Sequence, residues 1–314
     1  MPTPSLGPSL PPAEQHLNSQ SGALSVASCL AKTRSPRNLL FSILVIVLLY
    51  AFWTPLRALV HYSLWGYGLY DKYSYTMAIP FLSMTLVIFE RRKIFASVQN
   101  GFRGGVILLL TGLAISWSGG LAQHRVGADV SFSLKILALV ICWLAAFVLC
   151  YGARAFRAGA FPLLFLFLTV PVPDSLLDKP ITAVQYGSTE VCFLVFSLAG
   201  VPALRNGLGF TLSNVSIEVA KECSGIHSTL AIFIVSLIAG HLFLPLFWKK
   251  VLLVLLALPV VCVTNGLRIA GLTVLAEYVD PSWLHGSLHR QGGMGFFLLA
   301  LALLFAILHP LRRA

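Results

Sequence analysis

Charge is scarce in this sequence: Asp, Glu, Lys and Arg make up 11% of its 314 residues, against about a quarter in an ordinary soluble domain. Acidic residues are scarcer still, 11 against 22 Lys and Arg. With 57% hydrophobic residues and a mean hydropathy of +0.85, the composition excludes a soluble globular protein. The net charge of +11 does not mark a nucleic-acid partner, because the basic residues fall in short clusters between apolar runs rather than on one face. No internal repeat, no CxxC spacing and no HExxH occur, so a zinc ribbon, a redox dithiol and zincin-type proteolysis are excluded, and no metal or cofactor is expected. The six cysteines do not form a disulfide framework. Cys142, Cys150, Cys192 and Cys262 lie inside apolar runs, where a thiol is a small packing group, and Cys29 lies in a polar tail.

What fills the chain is sequence of membrane-crossing length. Apolar stretches of about 15 to 20 residues, enough for roughly 30 Å of hydrocarbon, recur at about 39–56, 75–89, 104–118, 134–151, 159–172, 226–247, 251–268 and 293–309. Gln185, Ser188, Thr189 and Glu190 interrupt a further run near 181–200. Lys and Arg accumulate in cytoplasmic loops, and basic clusters occur at Lys32, Arg34 and Arg37, at Arg91, Arg92, Lys93 and Arg103, at Arg154 and Arg157, at Lys249 and Lys250, and at Arg312 and Arg313. All five fall inside only if the 181–200 run makes no net crossing. The expected fold is therefore an all-α polytopic membrane protein with about eight transmembrane helices, a re-entrant or interfacial segment, and both termini cytoplasmic.

Residues 1–38, rich in Pro, Ser, Gln and Asn, carry too little apolar surface to offset their ordering entropy and read as a disordered cytoplasmic tail. The first crossing follows a basic flank and reads as an anchor rather than a cleaved leader. Residues 39–314 read as one transmembrane unit. Within it, Gly207, Gly209 and the Ser213–Asn214 pair flank alternating residues over 203–220, which predicts a small extracytoplasmic β-hairpin leading into Lys221-Glu222-Cys223-Ser224-Gly225. Asn214-Val215-Ser216 matches a glycosylation sequon, a pattern too short to carry weight.

Three reactive side chains converge on the outer face in this topology. Cys223, flanked by the polar Glu222 and Ser224, precedes a helix whose N-terminal partial charge favours thiolate. Arg268, in Asn265-Gly266-Leu267-Arg268, falls at the end of an apolar run, where an unpaired guanidinium costs about 2.5–3.5 kcal/mol. His289 precedes the last crossing and supplies an imidazole suited to acid–base work near neutral pH. The set suits thiol acyl transfer, with Cys223 as nucleophile, His289 as proton carrier and Arg268 stabilising the oxyanion or orienting substrate. Composition and spacing leave alternatives open: an Arg at a helix end also snorkels to headgroups, His285 competes with His289, and His227 lies one helical turn after Cys223. His61, His124 and His241 read as solvated groups in loops or at crossing ends.

An ordered set of segments resembles the exosortase and archaeosortase family, polytopic membrane cysteine transpeptidases and proteases of prokaryotes, over roughly residues 50–310. It comprises Tyr73-Ser74-Tyr75 with Met77-Ala78-Ile79-Pro80 and Glu90-Arg91-Arg92-Lys93, Phe161-Pro162-Leu163-Leu164-Phe165-Leu166 with Val170-Pro171-Val172-Pro173-Asp174, Val219 to Ile226, Asn265 to Ile269, and Gly286-Ser287-Leu288-His289 with Gly293. The resemblance implies Cys223 as nucleophile, Arg268 as the essential arginine and His289 rather than His285 as the histidine, with Glu222, Ser224, Gly225 and Asn265 in support. Its substrates would be secreted proteins whose C-terminal sorting signal joins a short motif such as Pro-Glu-Pro to a transmembrane helix and a basic tail. Cleavage through a thioester at the outer face of the prokaryotic inner membrane, followed by transfer to an acceptor, would need no cofactor; membrane lipids would be its other partners. This chain has His227 where family members carry Arg, and Tyr75-Thr76 in place of a His-Gly pair.

A reading of another class, a non-enzymatic transporter or exopolysaccharide-assembly protein, would have Arg268 and the polar residues of 181–200 line a permeation path. It calls for polar groups near midplane in several helices, and the sequence does not supply them.

Overall fold

The computed structural model describes residues 36–65, 73–99, 101–121, 127–219, 226–280 and 293–313. Ten helices occur among them: α1 (Pro36–Ala51), α2 (Trp53–Trp65), α3 (Ala78–Ile94), α4 (Phe102–Leu121), α5 (Ala128–Ala158), α6 (Ala160–Phe165), α7 (Asp174–Leu198), α8 (Ile226–Phe243), α9 (Phe247–Tyr278) and α10 (Gly293–Arg313). A small antiparallel sheet, in the order β1 (Leu204–Asn206), β2 (Gly209–Thr211), β3 (Ser216–Glu218), separates α7 from α8. The fold is thus mostly helical, and the expected hairpin is present with a third strand added.

Among the described residues five helices, α4, α5, α7, α9 and α10, are long and apolar enough to cross a membrane, and α1 with α2, bent by 75°, would make a sixth. This corrects the expectation of about eight. The 159–172 run forms only the six residues of α6 and a 3₁₀ turn at Leu166–Thr169, a length of about 15–20 Å at 1.5–2.0 Å per residue. Pro171 and Pro173 follow, and a residue before proline is disfavoured in the α region. Conversely, α7 runs unbroken through 25 residues and includes most of the run expected to be re-entrant. Its polar residues do not interrupt it, because Gln185, Ser188 and Thr189 share one face at helical spacing and are buried there, while Glu190 faces outward. The two neighbours have exchanged roles: the run expected to cross is the short one, and the run expected to be re-entrant has the length of a span.

Helix directions follow from the contacts. Gly187 approaches Cys262, Ser188 bonds Asn265, and Val191 meets Gly266, so α7 and α9 run parallel. Gly240 of α8 meets Lys250 while Ser228 lies near Thr264 and Arg268, and Gly293 of α10 meets Arg268 while Leu304 and Leu308 join the cluster of Leu253 and Ala257, so α8 and α10 run antiparallel to α9. The sheet caps one end of this four-helix group: Phe210, Leu212 and Val219 pack on Phe196, Ile269 and Ala270. The basic clusters gather at the opposite end. Asn38, beside Arg37, accepts from the Tyr151 hydroxyl, Tyr151 O accepts from Gln99 N, Ile94 packs on Gly159, and Glu90 of α3 pairs with His241 near the end of α8.

The other half of the molecule is built on the antiparallel α4–α5 pair. Gly105, Gly112 and Gly119 recur every seven residues on the α4 face that meets α5. A Cβ at Gly105 would collide with Leu149, and one at Gly112 would lie 2.6 Å from Cys142 Sγ; small residues of this kind let membrane helices approach closely. α5 itself kinks at Gly152 (φ 87°), where Gln99 O passes too close for any side chain. Cys142, Cys150 and Cys192 are buried in apolar clusters and Cys262 packs beside one, as their packing role requires.

Candidate functional site

Arg268 lies two-thirds of the way along α9, at the sheet-capped end of the bundle. It borders a cavity of ≈ 20 Å³ whose lining includes Ser228 of α8, Thr264 and Asn265 of α9, and Gly293 and Phe297 of α10. That volume admits one water or one oxygen of a bound group. Arg268 Nε is buried and has no hydrogen-bond partner among the described residues. Nor does a described carboxylate pair with the guanidinium. A buried, unpaired cationic donor is costly. Its position compounds the cost, because a Cβ on Gly293, the first residue of α10, would lie 3.9 Å from Nη1 and helix N-termini carry partial positive charge. Guanidinium and helix terminus together form a locus of positive potential with no anion to satisfy it among the described residues.

The neighbouring groups are already engaged. Thr264 Oγ1 donates back to Val260 O at 2.9 Å. Asn265 Nδ2 donates to Ser188 Oγ at 3.0 Å, both residues being buried. Gly266, whose Cβ would fall 2.6 Å from Val191 Cβ, and Gly187, whose Cβ would fall 2.6 Å from Cys262 Sγ, allow α7 and α9 to close on that bond. Asn265 therefore fixes the register of the helix that carries Arg268.

Three polar links set the sheet on this end of the bundle. Gln185 Nε2 donates to Val219 O at 2.8 Å in a buried setting. Arg205 holds Glu190 through two bonds of 3.0 and 2.6 Å. Glu277 receives the backbone N–H of Asn214 at 3.1 and 3.2 Å, and its side-chain amide at 3.1 Å. The sequon asparagine is thus engaged with α9. Val219 is the last described residue before Glu222, Cys223, Ser224 and Gly225, which lie outside the described residues, as do His285, His289, His124 and Cys29. The side chain of His227 lies outside them too.

Sequence reasoning missed two groups. Gln185 was legible only as an interruption of an apolar run, although Gln185, Ser188 and Thr189 at i, i+3 and i+4 spell a helical face. His241, expected to be solvated, is instead half-buried, paired with Glu90 and stacked on Phe161 with ring centroids 3.8 Å apart and planes within 5°.

Residues 65–306 match the family model described as transmembrane exosortase (Exosortase_EpsH). No curated protein and no solved structure matches the chain.

Proposed function

We propose that this chain, which belongs to the transmembrane exosortase family, cleaves C-terminal sorting signals with Cys223 as nucleophile, Arg268 as oxyanion or substrate stabiliser and His289 as general acid–base. Membership makes it a multi-pass membrane sorting enzyme. The finer reading rests on the orphaned Arg268 Nε beside a cavity of oxygen size. Ser228 and Gly293 border that cavity. Cys223 precedes the first by five residues and His289 precedes the second by four, a covalent tether of at most about 18 Å and 14 Å.

The chemistry follows from these groups. The Cys223 thiolate attacks the scissile carbonyl carbon, and the carbonyl oxygen takes up charge that the Arg268 donors and the α10 terminus would stabilise. His289 protonates the leaving amine, the C–N bond breaks, and a thioester remains. The acceptor, deprotonated by the same imidazole, then displaces the thiol. The substrate's own transmembrane helix would dock beside the bundle and present the junction at the depth of Arg268, so that proximity supplies selectivity. The gathering of basic clusters at the far end supports a cytoplasmic placement of that end and an outward-facing site.

The transport reading loses its support: Gln185 and Ser188 are bonded to Val219 and Asn265 rather than lining a path. The direct test is to trap the acyl-enzyme. Purified full-length protein incubated with a sorting-signal peptide should gain one substrate mass on Cys223, released by hydroxylamine. An adduct that resists hydroxylamine, or that maps to another residue, would contradict thioester chemistry at Cys223.

A further inference from the structure

On the face of α3 away from α8, a laterally open cavity of ≈ 570 Å³ lies between α3 and the bent α1–α2 pair, floored by α5. Its size is that of a small-molecule site, and its walls are almost wholly apolar: Met84, Val87 and Ile88 come from α3, Trp143 and Phe147 from α5. Ser83 donates its hydroxyl to Pro162 O at 2.7 Å, and Thr169 Oγ1, buried in the wall, has no partner among the described residues. One hydroxyl does not change the character of the lining.

The exception is Arg91, which borders the cavity at the basic end of α3. It is exposed and forms no ion pair with a described carboxylate; the adjacent Glu90 is held by His241. Arg92 and Lys93 follow directly. An apolar slot with an unpaired guanidinium at its basic mouth selects its occupant by charge. A transmembrane helix that ends in basic residues would set like charge against Arg91. An anionic phospholipid would set a phosphate there and an acyl chain against the walls, as basic pockets between transmembrane helices do for acidic headgroups.

We propose that this cavity is a binding site for one anionic phospholipid, its phosphate on Arg91 and an acyl chain along Val87, Ile88 and Trp143. The site is separate from the Arg268 cavity and does not depend on the catalytic reading.

The test offers the delipidated full chain equimolar phosphatidylglycerol and phosphatidylcholine with identical acyl chains and counts retained lipid by native mass spectrometry. One phosphatidylglycerol should be kept in preference by about fivefold, the factor expected for roughly 1 kcal/mol per basic contact. Arg91→Gln should abolish the preference and Arg92→Gln, whose side chain does not line the cavity, should leave it. Val87→Trp should lose both lipids. Equal retention of the two lipids, equal effects of the two arginine variants, or displacement of the lipid by a synthetic apolar helix with a basic tail would each overturn the proposal. Because both arginines are exposed, that comparison stands even if Val87→Trp fails to fold.

Discussion

Gln185 donates its side-chain amide to the carbonyl oxygen of Val219 at 2.8 Å, and both residues are buried. The bond ties α7 to the chain four residues before Cys223, and the parallel helix α9 is tied to the same α7 through Asn265 and Ser188. One helix thus references both the segment that leads toward Cys223, the proposed nucleophile, and the helix that carries Arg268. Gln185→Ala leaves the Val219 carbonyl buried and unpaired, a loss of about 1–3 kcal/mol. It is expected to slow substrate processing at least as much as it lowers thermal stability in detergent, and Gln185→Leu, which restores bulk but has no donor, should not rescue it. Wild-type processing by Gln185→Leu would show that the bond does not position Cys223.

The positive locus at Arg268 depends on a planar donor set as well as charge. Arg268→Lys keeps the charge and loses the fork, and is expected to cost about 10²-fold or more in processing rate with normal membrane insertion. Gly293→Ala adds a methyl at an ordinary 3.9 Å from Nη1 and should change the rate by no more than about twofold. A larger residue such as Gly293→Phe points at the guanidinium and should approach the effect of Arg268→Lys. Rates measured on equal amounts of inserted protein decide between these outcomes.

Close approach of α4 and α5 is expected to be specific to the glycine face. Gly112→Ala places Cβ 2.6 Å from Cys142 Sγ, an overpacking worth about 1–3 kcal/mol. Adding Cys142→Ala removes the colliding atom and should recover part of that stability, while Ala138 O and Cys142 N, each 3.2 Å from the new Cβ, limit the recovery. A double-mutant cycle on the midpoint of thermal unfolding reads the coupling; additive effects would mean that the sulfur is not what the new methyl meets.

Glu90 and His241 join α3 to α8, 151 positions apart in sequence. Removing either partner leaves the other half-buried and uncompensated, and for a fully buried pair such a break costs about 3–5 kcal/mol. Both groups retain some exposure, 19% and 17%, so His241→Ala is expected toward the lower end of that range. The double variant Glu90→Gln/His241→Gln, which leaves no uncompensated carboxylate, should be more stable than the single variant His241→Ala. A thermal midpoint for His241→Ala equal to that of wild type would mean the pair contributes nothing to the α3–α8 contact.

Arg268 was legible in the sequence because a guanidinium inside an apolar run has a cost that calls for an explanation, and the small sheet was legible from Gly207, Gly209 and the alternation around them. The continuity of α7 was not. A hydropathy window counts Gln185, Ser188 and Thr189 as breaks, whereas the helix turns all three inward toward Val219 and the α9 face. The shortness of α6 was hidden for the converse reason: its residues are apolar, and the Pro171–Pro173 pair that ends it contributes little to a window average. The Gly105, Gly112 and Gly119 repeat was visible in the letters, but its partner face on α5 was not. His241 could not be paired from sequence, since nothing local points 151 positions back to Glu90.

The central claim is that a Cys223 thioester carries the cleavage of sorting signals. Cells coexpressing this protein and a secreted substrate with a Pro-Glu-Pro type C-terminal signal would be compared by immunoblot for wild type, Cys223→Ala, Cys223→Ser and Cys262→Ala. Shortening of the substrate by wild type and by Cys262→Ala, with neither Cys223 variant active, is the expected result. Substrate shortened normally in the absence of Cys223 would contradict it.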